Sequence, residues 1–455
     1  MEARKAQQAL QKYDLSHYAD HLTEIGPENA VLAREDIRNS AGALLVPKGQ
    51  RLDRVAMSRL RQHALDKILD LQISVEGCLD GTRIYRQILE LIEQYPGCQQ
   101  VQARSGHSEM LREVCLSEPI APPLLNKLTV MRQRLPKAYN HSLFTAWVCL
   151  LIASEMGLPK AKIRKAFACG LLHDIGLLHV PESLTRRREL SPEEWQALQS
   201  HAVIGYLIVR ALDVYPPSVA EGVLEHHERL DQTGYPTRKP AECLGLYGQL
   251  VGCADLLFKF GDNEVKDHPS RLAASLPYLR MHQGAYSEDI FNAIVRILSR
   301  CDYQPRPTAE PAEMGLQRVL MLNLLVMEMG QQLKSLLSLE LVPLIGESRS
   351  GQALLAMAES LVGTLRRTGL DAGYLLETLG VEQGEPEPAA LDEVSAMLHE
   401  LLWLLKRFCW SVTQYLDDEG GTVDLEPLRM LTEQLQARLQ QAWQLETPYQ
   451  AGAQV

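Results

Sequence analysis

Histidine and aspartate residues recur through the middle of this chain at a spacing that strongly restricts its fold. Successive groups are separated by about 25 to 32 residues, close to the length of one helix plus its connecting loop. Each group sits in or beside an apolar pattern of helical period, so helices of one bundle can bring the side chains to a common point. The residues concerned are His141, His173, Asp174, His201, His226, His227 and Asp255.

The residue types and their pairing predict that this common point holds metal ions. Imidazole and carboxylate groups suit divalent ions such as Mn, Fe, Co, Ni and Zn. A lone histidine is more often a surface or core residue than a ligand, but His173 and Asp174 are adjacent and lie between the apolar runs 168–172 and 175–180. Burying an ionised Asp174 there without a partner would be costly, and a neighbouring cation removes that cost.

The same residues, in this order, resemble the motifs of the HD-GYP family, a branch of the HD phosphohydrolases. The match covers roughly residues 125 to 300. The resemblance implies an HD-type helical bundle core, a site for two or three metal ions, and hydrolysis of cyclic di-GMP. The matching positions are His141, His173-Asp174, His201, His226-His227-Glu228, Gly234-Tyr235-Pro236 and Ala254-Asp255.

The resemblance also implies a role for each residue. The seven histidines and aspartates would be metal ligands, and Asp174 would bridge the ions as the catalytic ligand. The expected cofactors are two divalent transition-metal ions, such as Mn, Fe, Ni or Zn. Glu228 is expected to be a hydrogen-bond partner of the site, not a ligand. The turn formed by Gly234, Tyr235 and Pro236 is expected to contact partners.

Several positions depart from the family pattern where substrate would bind. Leu177 replaces a lysine whose ammonium would hold a phosphate, and losing such a group costs about 2 to 4 kcal/mol in a transition state. Gln232 replaces a glycine, which takes backbone conformations that strain glutamine. Lys137 replaces a glutamate that supports a third metal in some relatives, so we expect a two-metal site.

Charged residues near the motifs leave more than one interpretation open. Glu264 and Asp267 fall near where the family carries cations. Arg186, Arg187 and Arg188 either supply replacement positive charge or form a solvated loop.

Three functions therefore remain. The first is a cyclic di-GMP phosphodiesterase whose activity these departures weaken. The second is a catalytically silent HD-GYP protein that binds metal, with or without nucleotide, and acts through protein contacts. The third is a hydrolase of another phosphoester, such as a nucleotide.

Net charge and composition limit which partners we expect the chain to bind and in which cellular compartment we expect it. A net charge of −11 and a pI of about 5.7 argue against a surface for polymeric nucleic acid. The nine cysteines form no C-x-x-C pair, as expected of a reduced cytosolic chain. No apolar run approaches the roughly 18 residues that span a bilayer, and the polar start is unlike a signal peptide. We expect a cytoplasmic protein whose partners are cyclic di-GMP or a related nucleotide, GGDEF-type or other signalling proteins, and a second copy of itself.

The chain is predicted to be mostly α-helical, with four parts. Residues 1–75 form a small α+β module, in which apolar runs flank the turn Asn39-Ser40-Ala41-Gly42 and predict a β-hairpin or a small β-unit. Residues 76–303 form the HD-GYP-type domain, 304–312 a linker, and 313–455 a C-terminal helical bundle.

Local signals refine these parts. Ser191 and Glu194 predict a helix start through a capping box, and the polar stretch 99–108 predicts a loop. The bundle is Leu-rich, with a break at 380–388, and its broad apolar faces either fold on themselves or pair across a two-fold axis. A role in dimerisation or partner docking is one interpretation, which no motif supports. His399 is isolated there and is expected to be structural.

Overall fold

The computed structural model of the chain confirms the expected mostly helical class. It describes residues 6, 16–25, 29–117, 120–187, 190–262, 272, 275–301, 312–339, 342–370, 375, 379, 388–419 and 425–451. The chain divides into two compact units. The first comprises 1–228, 235–237 and 243–259, and the second comprises 229–234, 238–242 and 260–455. The predicted domain boundaries are a different division and stay predictions.

The first unit is built mainly of helices, with four short strands near its start. The helices are α1 (Ser16–Glu24), α2 (Arg54–Arg61), α3 (Leu69–Gln72), α4 (Gly81–Gln94), α5 (Pro96–Ser105), α6 (Ser108–Ser117), α7 (Pro122–Arg134), α8 (Pro136–Glu155), α9 (Lys160–Leu172), α10 (Glu182–Arg186), α11 (Pro192–Leu212), α12 (Pro217–Glu225) and α13 (Leu246–Asp262), whose last residues belong to the second unit. A 3-10 helix, Ile175–His179, follows α9, and another spans Ala241–Cys243.

The predicted hairpin is confirmed, but the strands near it also pair over a longer range. Strand β2 (Ile37–Arg38) pairs antiparallel with β3 (Leu44–Val46) across the predicted turn. Strand β1 (Val31–Ala33) pairs antiparallel with β4 (Ile73–Val75), with Leu32 opposite Ser74. A pairing of residues 40 to 44 positions apart leaves no local signal in the sequence.

The prediction of a loop at 99–108 is wrong, because most of that stretch belongs to helix α5. The helix buries Cys98 and Val101 and ends at Gly106, whose φ is +72°. Its exposed face is polar, and that polarity hid two buried positions at helical spacing.

The helices that surround the motifs start and stop where the sequence indicates. Helix α8 ends before Gly157, whose φ of +69° continues no helix. Helix α11 begins with the predicted capping box between Ser191 and Glu194. Helices α8 and α9 pack closely where Gly170 faces Ala146. A Cβ on Gly170 would lie 2.8 Å from the Cα of Ala146, so the absence of a side chain permits this approach.

The described part of the second unit is also helical. Its elements are α14 (Leu276–Met281), the 3-10 turn Gln283–Ala285, α15 (Glu288–Leu298), α16 (Ala312–Leu337), α17 (Val342–Ile345), α18 (Arg349–Thr368), α19 (Pro388–Glu419) and α20 (Glu426–Ala451). Leucines from α16, α18, α19 and α20 share one apolar core, so the Leu-rich pattern predicted these helices correctly. Within the described ranges, no helix combines the length and apolar character that a membrane crossing needs.

Some predictions fall on residues outside those ranges. They are the linker 304–312 apart from its last residue, the break at 380–387, Arg188, and the acidic positions Glu264 and Asp267.

Candidate metal centre

Five helical elements of the first unit bring all seven predicted ligands to one place. Helix α8 carries His141, and His173 and Asp174 follow the last residue of α9. His201 lies on α11, His226 and His227 directly follow α12, and Asp255 lies on α13. The side chains are buried or nearly so, and His173 and His226 are fully buried.

The carboxylate of Asp174 lies at the centre of this cluster and divides it into two sides. Its Oδ2 atom is 3.4 Å from His141 Nδ1 and 3.3 Å from His173 Nε2. Its Oδ1 atom is 3.4 Å from His201 Nε2 and 4.0 Å from His226 Nε2. One carboxylate therefore faces a different pair of imidazoles with each oxygen.

Asp255 supplies a second carboxylate next to His141. Its Oδ1 is 3.0 Å from His141 Nε2, and its Oδ2 is 3.9 Å from His227 Nδ1. The ring of Phe258 stacks on His141, with centroids 4.2 Å apart and planes at 15°. Phe258 thus fixes the plane in which the nitrogens of His141 point.

Three of the histidines are oriented by their own helices. The Nδ1–H groups of His173, His201 and His226 each donate to the carbonyl oxygen three residues earlier. The distances are 2.8 Å to Gly170, 2.6 Å to Leu198 and 2.6 Å to Val223. A carbonyl accepts only, so the proton of each neutral ring sits on Nδ1 and the Nε2 lone pair faces the cluster.

Two of these Nε2 lone pairs face each other with no proton between them. His201 Nε2 and His226 Nε2 lie 3.2 Å apart. Burial lowers the pKa of His201 and holds that of His226 well below its ordinary value, so both rings are neutral near pH 7. Two acceptors at this distance repel each other unless a cation lies beside both. His173 Nε2 is buried without a hydrogen-bond partner among the described residues.

The charge balance of the cluster also favours cations. Burial alone would raise the pKa of Asp174, but the surrounding histidines hold it well below its usual range. Burial alone would lower the pKa of His141, but Asp174 and Asp255 outweigh it and raise that pKa to about 9. Two ionised, buried carboxylates produce a negative potential that a proton on His141 only partly offsets.

The donor set fits metal ions. Three overlapping groups have one donor atom per residue, with all donor atoms within 4.8 Å of one another. They are His141 with His173 and Asp255, His173 with Asp174 and His226, and His201 with His226 and His227. Nitrogen and carboxylate donors at such distances suit divalent transition metals.

The Gly-Tyr-Pro turn packs against this cluster through its tyrosine. The ring of Tyr235 lies 4.5 Å from the ring of His227 and 6.1 Å from that of Trp195. The backbone N–H of Tyr235 donates to the carbonyl of His227 over 3.1 Å. Glu228 Oε1 accepts from the backbone N–H of Thr237 at 2.6 Å, and from its hydroxyl at 2.8 Å. Glu228 is therefore a hydrogen-bond partner of the turn.

The departures from the family pattern have distinct structural settings. Leu177 is only 8% exposed and lies on the 3-10 turn after Asp174. Gln232 has a φ of +60°, so the backbone there is left-handed and glutamine is strained, as the sequence predicted. Lys137 is exposed, four residues before His141.

The arginines proposed as replacement charge are already paired where they are described. Arg186 pairs with Glu182, and Arg187 pairs with Glu194. Their positive charge is therefore balanced locally, which favours the solvated-loop interpretation.

Sequence reasoning missed several supporting residues. Glu225 is 2% exposed and its Oε2 accepts from the backbone N–H of Gly245 at 2.9 Å, which ties α12 to the start of α13. Phe258 follows Asp255 by three residues, a spacing that places both on one helix face. Lys127 and His179 form a separate buried contact, with Nζ 3.0 Å from Nε2. Only Phe258 was detectable from spacing, since the others depend on long-range packing.

Comparisons with known proteins find a family model and several relatives that match part of the chain. A family model described as an HD domain matches residues 122–289. The cyclic di-GMP phosphodiesterase PA4108 of Pseudomonas aeruginosa is 26% identical over 194 residues, which are 42% of this chain and 46% of that protein. The 3'3'-cGAMP-specific phosphodiesterase 1 of Vibrio cholerae is 32% identical over 120 residues, which are 26% of this chain and 27% of that protein.

A solved structure gives a weaker likeness. Bd1817, an HDG"Y"P protein from Bdellovibrio bacteriovorus, aligns over 62% of this chain and 97% of its own, at 15% identity and a TM-score of 0.33. The chain spans less than half the length of each of these two curated relatives.

Proposed function

We propose, on the premise that this chain is a member of the HD-GYP family through its HD domain, that it is a metal-dependent phosphodiesterase that hydrolyses cyclic di-GMP. The proposal rests on one observation above all. The neutral His201 and His226 aim two lone pairs at each other across 3.2 Å, beside the carboxylate of Asp174. A bound cation is the arrangement that stabilises these groups together.

The geometry supports a division of the ligands between two ions. His141, His173 and Asp255 would hold one ion, and His201, His226 and His227 would hold the other. Asp174 would bridge them as the catalytic ligand, since its two oxygens face the two sides separately. The identity and number of the ions are part of the proposal.

Two divalent ions bound together would supply a nucleophilic water at neutral pH and neutralise charge on phosphoryl oxygens. The chain itself keeps the ligands oriented. The Nδ1–H bonds to helix carbonyls fix three rings, and Phe258 fixes the plane of His141. Tyr235 covers the ring of His227, which limits how far that side chain swings.

The names of the relatives support a cyclic dinucleotide as the substrate class. The relative from Pseudomonas aeruginosa is named for cyclic di-GMP, and the one from Vibrio cholerae for 3'3'-cGAMP. We take cyclic di-GMP as the primary candidate and 3'3'-cGAMP as the second. The complete donor set and these names both favour an active enzyme over a catalytically silent protein.

The proposal also covers binding partners, oligomeric state and cellular location. Contacts through Gly234, Tyr235 and Pro236, GGDEF-type or other signalling partners, a homodimer and a cytoplasmic location all stay predictions. So does the division into residues 1–75, 76–303, 304–312 and 313–455.

Purified full-length protein, loaded with Mn²⁺ or Fe²⁺, tests the proposal. We expect bound metal and conversion of cyclic di-GMP to the linear dinucleotide or GMP, with 3'3'-cGAMP assayed in parallel. Asp174→Asn should lose metal and turnover together, while His399→Asn, the matched change of a histidine in the second unit, should lose neither.

The outcomes separate the alternatives. Bound metal with no product from either dinucleotide would favour the silent protein. Product from 3'3'-cGAMP alone would change the substrate. A wild-type protein that binds no metal would overturn the proposal altogether.

A further inference from the structure

Lys127, on α7, carries an ammonium group that the surrounding protein buries completely. Its side chain is 0% exposed. Nζ lies 2.9 Å from Asp70 Oδ1, 3.0 Å from His179 Nε2 and 3.4 Å from the centroid of the Tyr18 ring. Tyr18 and Asp70 belong to the N-terminal elements α1 and α3, so one cation joins them to the middle of the chain.

His179 connects this contact to the proposed metal ligands. It is the last residue of the 3-10 helix that begins directly after Asp174. Within this turn the N–H of Leu177 donates to the carbonyl of Asp174 at 2.9 Å, and that of Val180 to the carbonyl of Leu177 at 3.1 Å. A displacement of His179 is therefore transmitted along a short hydrogen-bonded segment to Asp174.

The 3-10 helix Ile175–His179 is held near its start and at its last residue. At Gly176 it lies against the backbone of His201, where a Cβ would come within 2.0 Å of the carbonyl oxygen. At His179 it is held by Lys127 and by the ring of Tyr18, which stacks on the imidazole with centroids 4.9 Å apart. The first contact involves a proposed ligand helix, and the second involves the N-terminal elements.

The charges of the cluster make the contact specific. Burial, reinforced by Lys127, holds the pKa of His179 well below its usual range, so the ring is neutral and accepts a hydrogen bond from the ammonium. Asp70, 5% exposed, balances the charge of Lys127. Buried ion pairs contribute little net stability compared with apolar residues of similar size. Their better-attested use is to specify one arrangement, here that of His179.

We propose that Lys127, held by Asp70 and Tyr18, is a positioning residue for the metal centre, acting through His179 on Asp174. The inference rests on the metal site of the proposed function. Residues 16–75 therefore contribute to the geometry of that site, because the Asp70 carboxylate and the Tyr18 ring, which hold Lys127, belong to this segment.

A double variant separates this positioning role from folding. Lys127→Met with Asp70→Asn removes both buried charges together, so no unpaired ion remains to unfold the protein. We expect a folded protein whose affinity for Mn²⁺ falls about tenfold, the lower end of losses seen when partners of metal ligands are removed. The absorption spectrum of the Co²⁺-loaded protein should also change, because the ligand geometry shifts. Lys67→Met is the matched control, since Lys67 pairs with Glu35 at the surface of the same region.

A second pair of variants decides the matter even if the double variant fails to fold. His179→Gln keeps a side-chain acceptor for Lys127 and should retain metal affinity and spectrum. His179→Leu removes the acceptor while Lys127 stays paired with Asp70, and it should behave like the double variant.

The results have distinct meanings. Weakened metal binding in His179→Leu, with rescue in His179→Gln, supports the proposal. Wild-type affinity and spectrum in His179→Leu overturn it, although the wild-type protein would still bind metal and the proposed function would stand. A wild-type protein without metal would overturn both.

Discussion

Gly176 lies so close to His201 that a Cβ on the glycine would come within 2.0 Å of the histidine's carbonyl oxygen. The same Cβ would lie 2.8 Å from the backbone nitrogen of Gly205, one turn further along α11. The turn that carries Asp174 therefore packs directly on the backbone of the helix that carries His201. This close packing accounts for a glycine two residues after Asp174.

Gly176→Ala should damage the metal centre and the fold together. The methyl group meets backbone atoms on α11, so the turn must move away, and overpacking of this kind costs about 1 to 3 kcal/mol. We expect a lower free energy of unfolding in urea and weaker Mn²⁺ binding. Gly284→Ala is the control, since its new Cβ would meet nothing nearer than 3.7 Å. Equal metal binding in the two variants would contradict the packing argument.

Gln232→Gly should relieve backbone strain near the Gly-Tyr-Pro turn. A left-handed residue other than glycine costs about 1 to 2 kcal/mol, and the greater freedom of glycine in the unfolded chain offsets about 0.4 to 1 kcal/mol of the gain. We expect a small rise in the free energy of unfolding and a higher kcat on cyclic di-GMP, because the strained residue lies between His227 and Tyr235.

Asp213→Gly is the matched control for that change. Asp213 has a φ of +52° at the end of α11 and is not part of the segment between His227 and Tyr235. It should show a similar change in stability and no change in kcat. A higher kcat in both variants, or in neither, would show that strain at Gln232 does not limit the reaction.

Leu177→Lys should raise turnover by restoring an ammonium beside the site. Removing one comparable donor lowers kcat by roughly 100- to 1000-fold in other enzymes, so we expect restoration to raise kcat by up to about the same factor. Stability should fall, because residue 177 is 92% buried and a charge there loses hydration when no substrate is bound. Leu177→Met, which keeps the volume without the charge, should leave kcat unchanged.

Leu177→Lys and Gln232→Gly together test whether these two departures from the family pattern lower the activity. If neither Leu177→Lys nor Gln232→Gly raises kcat, these departures from the family pattern do not explain a low activity. The assay is steady-state hydrolysis of cyclic di-GMP at saturating Mn²⁺.

The sequence predicted that these histidines and aspartates converge, because each lies on a helix, or directly after one, with a clear apolar period and clear ends. Gly157 and the capping box at Ser191 marked those ends, and the left-handed backbone at Gln232 followed from the missing glycine. Contacts between residues distant in the chain were not predictable. The sequence gives no sign that Lys127, on α7, is buried, and only the fold shows that Asp70, 57 positions earlier, pairs with it.

The buried and neutral His179 should make stability depend on pH. Its pKa in the folded protein lies well below the usual value of 6.5, because burial and then Lys127 disfavour the charged ring. Above pH 6.5 neither the folded nor the unfolded protein binds the proton. Below that value the unfolded chain takes it up and the folded protein does not. The free energy of unfolding therefore falls as the pH falls, by at most about 1.4 kcal/mol per pH unit from this residue.

His179→Gln should flatten this dependence, because glutamine does not titrate but still accepts a hydrogen bond from Lys127. The measurement is the free energy of unfolding in urea at several pH values between about 5 and 7. His63→Gln, a change of an exposed histidine, controls for the loss of an imidazole. The slope should decrease in His179→Gln relative to both wild type and control. An unchanged slope would mean that His179 is protonated in the folded protein, and a protonated ring would not accept the hydrogen bond from the ammonium.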